Sequence, residues 1–206
     1  MQIVKDFEQG SEPWHLARLG SIGGSSISAI LAKGAGREKL LKQFFNERIS
    51  GKKTKTWESA DMEMGNIYEP VAREYYELIY GVDVETVSLI LSDIPGVHDS
   101  PDGLVNPKGS IEIKCHIPSV YREKVHSDSI ALDHKRQCQH LLWVGEREWC
   151  DYINFCPAIN DMDPDERPID LKDPMKVTRL YRDEKMIREI RIEVTLFLET
   201  LNGWLK

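Results

Sequence analysis

Several features that would fix a function class at once are missing from this sequence. No stretch approaches the roughly 18 consecutive apolar residues of a membrane-spanning helix, which argues against a helical membrane protein. Residues 1–7, Met-Gln-Ile-Val-Lys-Asp-Phe, have neither the apolar core nor the small-residue cleavage site of a secretory signal, so a cytoplasmic chain with no membrane partner is expected. The four cysteines, at 115, 138, 150 and 156, form no Cys-x-x-Cys pair. That spacing argues against a structural zinc and a disulfide framework and leaves reduced, packed thiols. Net positive charge is also lacking, since 27 Lys and Arg face 34 Asp and Glu for a balance of −7. Phosphate contacts dominate nucleic-acid affinity, so such a role would need a local basic channel within an acidic exterior. Internal repeats, low-complexity tracts and long linkers are absent too. With 206 residues, 41% hydrophobic and 30% charged, one globular domain over 1–206 is expected.

What is present centres on the stretch 100–115, Ser-Pro-Asp-Gly-Leu-Val-Asn-Pro-Lys-Gly-Ser-Ile-Glu-Ile-Lys-Cys. Ile111, Ile113 and Cys115 alternate with Glu112 and Lys114, so a strand would carry apolar side chains on one face and the charged pair on the other. A hairpin closed at Asn106-Pro107-Lys108-Gly109 would fold Asp102 back beside that pair. Two carboxylates and an ammonium would converge, a set suited to a divalent metal that activates water against a phosphodiester.

The remaining pattern places this hairpin in a small α/β core. Helices are expected at 25–33, with Ser25 or Ser26 as N-cap, at 37–50 and at 59–80. The last has Ile67, Val71, Tyr75, Leu78 and Ile79 at helical spacing and begins or kinks at Glu69-Pro70. Strands follow at 82–91, 96–105 and 110–115, then an irregular segment at 118–129 and a helix at 130–144 that turns Leu132, Cys138, Leu141 and Leu142 inward. A strand at 149–156, an acidic loop at 160–168 and an edge strand at 176–180 precede an amphipathic helix at 182–201, expected to pack on the sheet. Basic patches lie at Lys33 with Arg37 and Lys39, and at 52–55; each also fits ordinary solvated charge. A serine-capped helix start near Arg18 offers N–H groups to an anion, and equally fits a capped helix beside an exposed arginine. Glu69 taken alone fits an ordinary surface glutamate.

Asp102 followed by Glu112-Ile113-Lys114 resembles the Asp…(Asp/Glu)-x-Lys motif of the PD-(D/E)xK nuclease superfamily. Further segments agree in order: Glu8-Gln9-Gly10 through Trp14-His15 and Arg18-Leu19-Gly20, Gly65 with Tyr68-Glu69, Ser100-Pro101-Asp102-Gly103-Leu104, and Gln137-Cys138-Gln139 with Trp143-Val144. Together they resemble the phage lambda exonuclease or YqaJ-type viral recombinase family over nearly the whole chain. The resemblance implies a restriction-endonuclease-like core, a central mixed β-sheet flanked by helices. It implies that Asp102, Glu112 and the main-chain carbonyl of Ile113 bind catalytic Mg2+, with Mn2+ as substitute, and that Glu69 helps bind a second ion. Lys114 is similar to the lysine that orients and helps deprotonate the attacking water. Arg18, Ser25, Ser100 and Gln137 match positions that hold a 5′-terminal phosphate, and Met62 matches an apolar wedge that splays the terminal base pair.

The implied activity is processive 5′-to-3′ digestion of double-stranded DNA ends by a ring-shaped homotrimer, leaving 3′ single-stranded tails for phage-type recombination with a single-strand annealing protein. A structure-specific endonuclease, or a Cas4-like exonuclease with an iron–sulfur cluster, is the alternative on the same core. The cysteine spacing counts against the cluster. A catalytically inactive DNA-binding protein is a third reading, which the joint presence of Asp102, Glu112, Lys114 and Glu69 opposes.

Overall fold

The charged strand expected at 110–115 is the middle strand of a five-stranded mixed sheet. The structure, a computed structural model, describes residues 1–54, 60–127 and 129–206, the side chains of 60–62 excepted. The chain begins with β1 (Gln2–Val4), α1 (Glu12–Ala17), a 3-10 turn at Gly24–Ser26, α2 (Ile27–Ala32), α3 (Ala35–Ser50) and α4 (Ala60–Tyr80). Five strands follow: β2 (Val84–Glu85), β3 (Leu89–Leu91), β4 (His98–Asp99), β5 (Gly103–Val105) and β6 (Gly109–Cys115). Then come α5 (Pro118–Val125), α6 (Leu132–Val144), β7 (Trp149–Phe155), α7 (Pro157–Asn160), β8 (Met175–Tyr181) and α8 (Glu184–Trp204). Among the described residues no helix is long and apolar enough to cross a membrane.

The large sheet runs β2-β5-β6-β7-β8, and a small one runs β1-β3-β4. β6 and β7 pair in parallel, which requires the long crossover that carries α5 and α6. The hairpin closes as the alternation implied, with Val105 opposite Gly109. Asn106 takes the left-handed conformation (φ 48°), and its side chain accepts from the Lys108 N–H at 2.8 Å, as asparagine in turns commonly does.

The single strands expected at 82–91 and 96–105 are each divided between the two sheets. In the second case Pro101 has no N–H for a ladder, and Ser100-Pro101-Asp102 carries the chain from β4 in the small sheet to β5 in the large one. Residues 118–125, expected to be irregular, are helical, with Pro118 at the first turn, where a missing N–H costs nothing. α4 runs unbroken through Pro70. Its buried face is Ala72 and Tyr76, packed on Ile111, Ile113 and Cys115 of β6, whereas Ile67, Val71, Leu78 and Ile79 are exposed. Of the face that the helical spacing picks out, Tyr75 packs against the same cluster and the four aliphatic residues do not. Leu132, at the first residue of α6, is likewise exposed.

α8 buries Ile187, Ile190, Val194, Phe197, Leu198 and Leu201, as its spacing required, but against α2, α3 and α6 instead of the sheet. Asp183 caps it by accepting the N–H groups of Lys185 and Met186, both at 3.0 Å. All four cysteines are free and buried.

At the start of β6 a Cβ added to Gly109 would lie 2.2 Å from the Trp149 ring. That ring sits 3.7 Å under the Arg179 guanidinium, which is itself held by Asp151 at 2.7 Å, so it has little freedom to move aside. Gly109→Ala is expected to cost about 1–3 kcal/mol of stability. At roughly 2–4 °C per kcal/mol for a chain of this size, a thermal melt would register it, and an unchanged midpoint would show that the ring has another seat.

Candidate active site

The two faces of β6 have separate duties. Ile111, Ile113 and Cys115 pack under α4, while Glu112 and Lys114 face the α6 side of the sheet. Glu112 is 2% exposed, and one of its oxygens, Oε1, takes two donors: Lys114 Nζ at 2.5 Å and Gln137 Nε2, reaching from α6, at 2.6 Å. Gly103 pairs with Ile111, so an unbroken ladder would next set Asp102 opposite Glu112. Instead the carboxylate of Asp102 takes the Ile113 N–H at 2.6 Å, and β5 starts one residue later. α4 steadies this departure, because Arg73 Nε donates to the Asp102 main-chain carbonyl at 2.9 Å.

These charges are mutually unfavourable without a further cation. Burial raises the Asp102 pKa well above the ordinary carboxylate range; Glu112 and Glu69 push it further, against Lys114 and the Ile113 N–H. Glu112 is raised by burial, against Lys114, and Glu69 is raised by burial, against Lys114 and Arg73. Burial works against the charge of Lys114, yet Glu112 and Asp102 outweigh it and hold the amine above the ordinary lysine range. In this setting Lys114 is an ammonium, a donor that orients an oxygen.

Among the described residues no group of three or more His, Cys, Asp or Glu side chains is arranged to hold a metal ion. The donor chemistry nonetheless fits one. Asp102, Glu112 and the Ile113 carbonyl are hard oxygen donors, and the mutual repulsion of Asp102, Glu112 and Glu69 is what a divalent ion would relieve.

The four residues expected at a terminal phosphate are distributed unevenly. Arg18 and Ser25 line an open cleft of about 1250 Å³, together with Trp14, Glu69 and Arg73. Ser100 is engaged beside it, accepting from Trp14 Nε1 at 3.1 Å and donating to the Ser88 carbonyl at 3.2 Å. Gln137 is turned to Glu112. The side chain of Met62, expected to be the strand wedge, lies outside what the structure describes, as does all of Lys55 of the second basic patch. Two residues of the first patch are tied down: Lys33 and Arg37 both pair with Glu193 of α8, at 2.7 and 2.8 Å. His134 stacks on Tyr152 and shares a 2.6 Å hydrogen bond with its hydroxyl.

Several residues of this region were not singled out from the sequence. Arg73 was within reach, because it stands four residues after Glu69 and so on the same helix face. Asp99, bonded to buried His140 at 2.5 Å, and His98, bonded to Arg18 at 3.0 Å, join partners 41 and 80 positions apart and leave no local signal.

A family profile described as the YqaJ-like viral recombinase domain matches residues 13–148. Among solved structures the chain is similar to LHK-Exo, an alkaline exonuclease from Laribacter hongkongensis, with 30% identity, TM-score 0.82, and coverage of 94% of this chain and 93% of that one. It is similar to the same relative in complex with dAMP at 32% identity, with the same coverage and TM-score. A phage related exonuclease from Haemophilus somnus 129PT has the same fold at 13% identity and TM-score 0.71, over 90% of this chain and 95% of that one. No curated protein matches the sequence significantly. The mixed sheet flanked by helices thus agrees with the expected core.

A carboxyl whose folded pKa is raised stabilises the fold most below its unfolded pKa, and that contribution is lost as pH rises through the folded value. Asp102→Asn keeps an oxygen for the Ile113 N–H and removes the charge. It is expected to raise stability at neutral pH by on the order of 1–2 kcal/mol, with the gain shrinking as pH falls towards about 4. Thermal melts across that range check it; a variant less stable than the parent at pH 7 would mean that the charge is already compensated.

Proposed function

The chain belongs to the YqaJ-like viral recombinase family, and from that premise we propose that it is a divalent-metal-dependent exonuclease that digests duplex DNA from its 5′ ends. The observation that carries this reading is a shared cleft. Glu69 and Arg73, which act on the Asp102 and Glu112 carboxylates or their backbone, line the same cavity as Arg18 and Ser25. A cleaving centre and an anion pocket on one cavity suit an enzyme that grips a strand end and cuts the next bond.

Asp102, Glu112 and the Ile113 carbonyl would hold a metal ion, and Glu69 would contribute to a second. Bound Mg2+ would lower the pKa of water and neutralise charge on the phosphate. Lys114 orients the attacking water by donating to it, from a stem fixed in β6. Arg18 and Ser25 hold the terminal phosphate, with Ser100 and Gln137 completing the set. Water oxygen bonds to phosphorus as the P–O3′ bond breaks, and the proton that the water gives up balances the one that the leaving 3′ oxygen takes. One nucleoside monophosphate departs, and the remaining strand carries a new 5′ phosphate for the same pocket. The complex of the relative LHK-Exo with dAMP, a deoxynucleoside monophosphate, supports this product class.

Met62 is assigned the strand wedge. A homotrimeric ring working in the cytoplasm with a single-strand annealing protein completes the reading. The exposed Ile67, Val71, Leu78 and Ile79 of α4 support it, since a second copy of the chain could cover them.

Linear duplex labelled at its 5′ or 3′ ends should lose 5′ label as mononucleotide in Mg2+ and stay intact with chelator, while a closed circle persists. Release of 3′ label first, or cutting of the circle, would overturn the polarity or the end dependence. Lys114→Ala is expected to lower the rate by about 10²-fold or more at unchanged fold, since a positioned donor at the reacting centre is worth that much. Mn2+ should raise the melting midpoint of the parent and much less that of Asp102→Asn, which reads metal binding without turnover.

A further inference from the structure

We infer that His98 is a positioning residue, which fixes Arg18 so that its two terminal nitrogens face a bound 5′-phosphate. This rests on the reading of Arg18 as a ligand of that phosphate. The guanidinium is clamped from two directions, its carbon lying 3.8 Å from the Trp14 ring centroid and its Nε donating to His98 Nε2 at 3.0 Å. A guanidinium can only donate, so His98 Nε2 must present a lone pair, and the ring proton sits on Nδ1. That Nδ1–H then donates to Ser21 Oγ at 2.6 Å, which fixes one neutral tautomer. The imidazole itself is 1% exposed. Its backbone is also bound, with the His98 N–H donating to the Ile22 carbonyl at 2.9 Å. A Cβ on Gly23 would come within 2.9 Å of Nε2, so the imidazole needs bare backbone at that point. Burial, then Arg18 and His140, lower the His98 pKa to about 3, consistent with a ring that stays neutral.

The consequence lies in which nitrogens remain. With Nε committed to the imidazole, the two Nη groups of Arg18 make no hydrogen bond to the described residues, and Arg18 lines the cleft beside Ser25. Paired N–H groups match two phosphate oxygens, a geometry that lysine cannot offer. Holding the fork in advance removes the rotamer entropy that a free arginine would lose on binding. The group served is a terminal phosphate rather than a 5′-hydroxyl.

The test compares kcat/KM on duplexes ending in 5′-phosphate and in 5′-hydroxyl. His98→Ala is expected to lower the phosphate-to-hydroxyl ratio about tenfold, the effect of losing one hydrogen bond to a charged group. His98→Gln, whose carbonyl oxygen can stand near the Nε2 position, should recover most of the ratio. Arg18→Ala with His98→Ala should be no worse than Arg18→Ala alone. Nitrogen NMR of the parent should show a protonated Nδ1 and a bare Nε2 at His98, a readout independent of nuclease activity. If the parent digests both ends equally, the phosphate-pocket reading falls and this role with it. If the parent discriminates but His98→Ala keeps the ratio, loses both activities equally while folded, or adds to Arg18→Ala, the positioning role alone is overturned. A protonated Nε2 would overturn it as well.

Discussion

One hydrogen bond, from the Ile113 N–H to the Asp102 carboxylate, sets the layout of the candidate active site. A β-ladder normally satisfies such an N–H with a neighbouring carbonyl. Here a side chain does so, which delays the start of β5 to Gly103 and lets the chain cross from the small sheet to the large one immediately upstream. The exchange seats a carboxylate beside Glu112 and Lys114 on the middle strand of the five-stranded sheet, where their geometry is held by backbone rather than by loops. It also leaves Asp102, Glu112 and Glu69 repelling one another, with Lys114 as the near cation. An electrostatic arrangement of this kind weakens the fold locally and favours whatever cation or transition state relieves it.

The strand that leads into this crossing distributes its side chains in the same economical way. His98 goes to Arg18, Asp99 to His140 of α6, Ser100 to Trp14 of α1, and Asp102 to Ile113 of β6. Four of the five positions from 98 to 102 thus bind the N-terminal helix, the crossover helix and the central strand to one another. α6 answers with Gln137 on Glu112. A shift of β4 or α6 would therefore move the carboxylates and the arginine pocket together.

The hairpin was legible because its information is local: period-two alternation from Ile111 to Cys115, a turn at Asn106 and Pro107, and the position of Asp102 all lie within one short stretch. The helices at 35–50 and 184–204 were legible for the same reason. What each element packs against was not. Ile67, Val71, Leu78 and Ile79 satisfy helical spacing as well as Ala72 and Tyr76 do, and only the sheet decides which side it covers. α8 has a clear apolar stripe, but its spacing says nothing about whether helices or strands meet it. The division of 96–105 depended on Pro101 acting as a crossing between sheets, where alternation alone reads as one strand. Of the candidate site, resemblance supplied the roles of Arg18, Ser25, Ser100 and Gln137. The contacts that hold Arg18 became visible once β4 was placed beside α1.

The acidic balance of the chain acquires a physical meaning from where its cations are used. Lys33 and Arg37 meet Glu193, Arg48 meets the Gly20 carbonyl and Asn202, Arg179 meets Asp151, and Arg182 meets main-chain carbonyls of Leu142 and Arg147. These side chains bind the protein to itself. A net charge of −7 with this many cations engaged internally leaves a modest field for attracting a polyanion. Affinity spread along the duplex by counterion release would then be small, because it scales with the number of phosphates neutralised. Specific grip on one terminal phosphate, by a guanidinium held in place beforehand, needs few cations. Enclosure of the duplex by a ring of subunits needs fewer still, since it retains DNA by topology rather than by charge. The two devices of the proposed function, end recognition and encirclement, are those by which an acidic protein can stay on DNA.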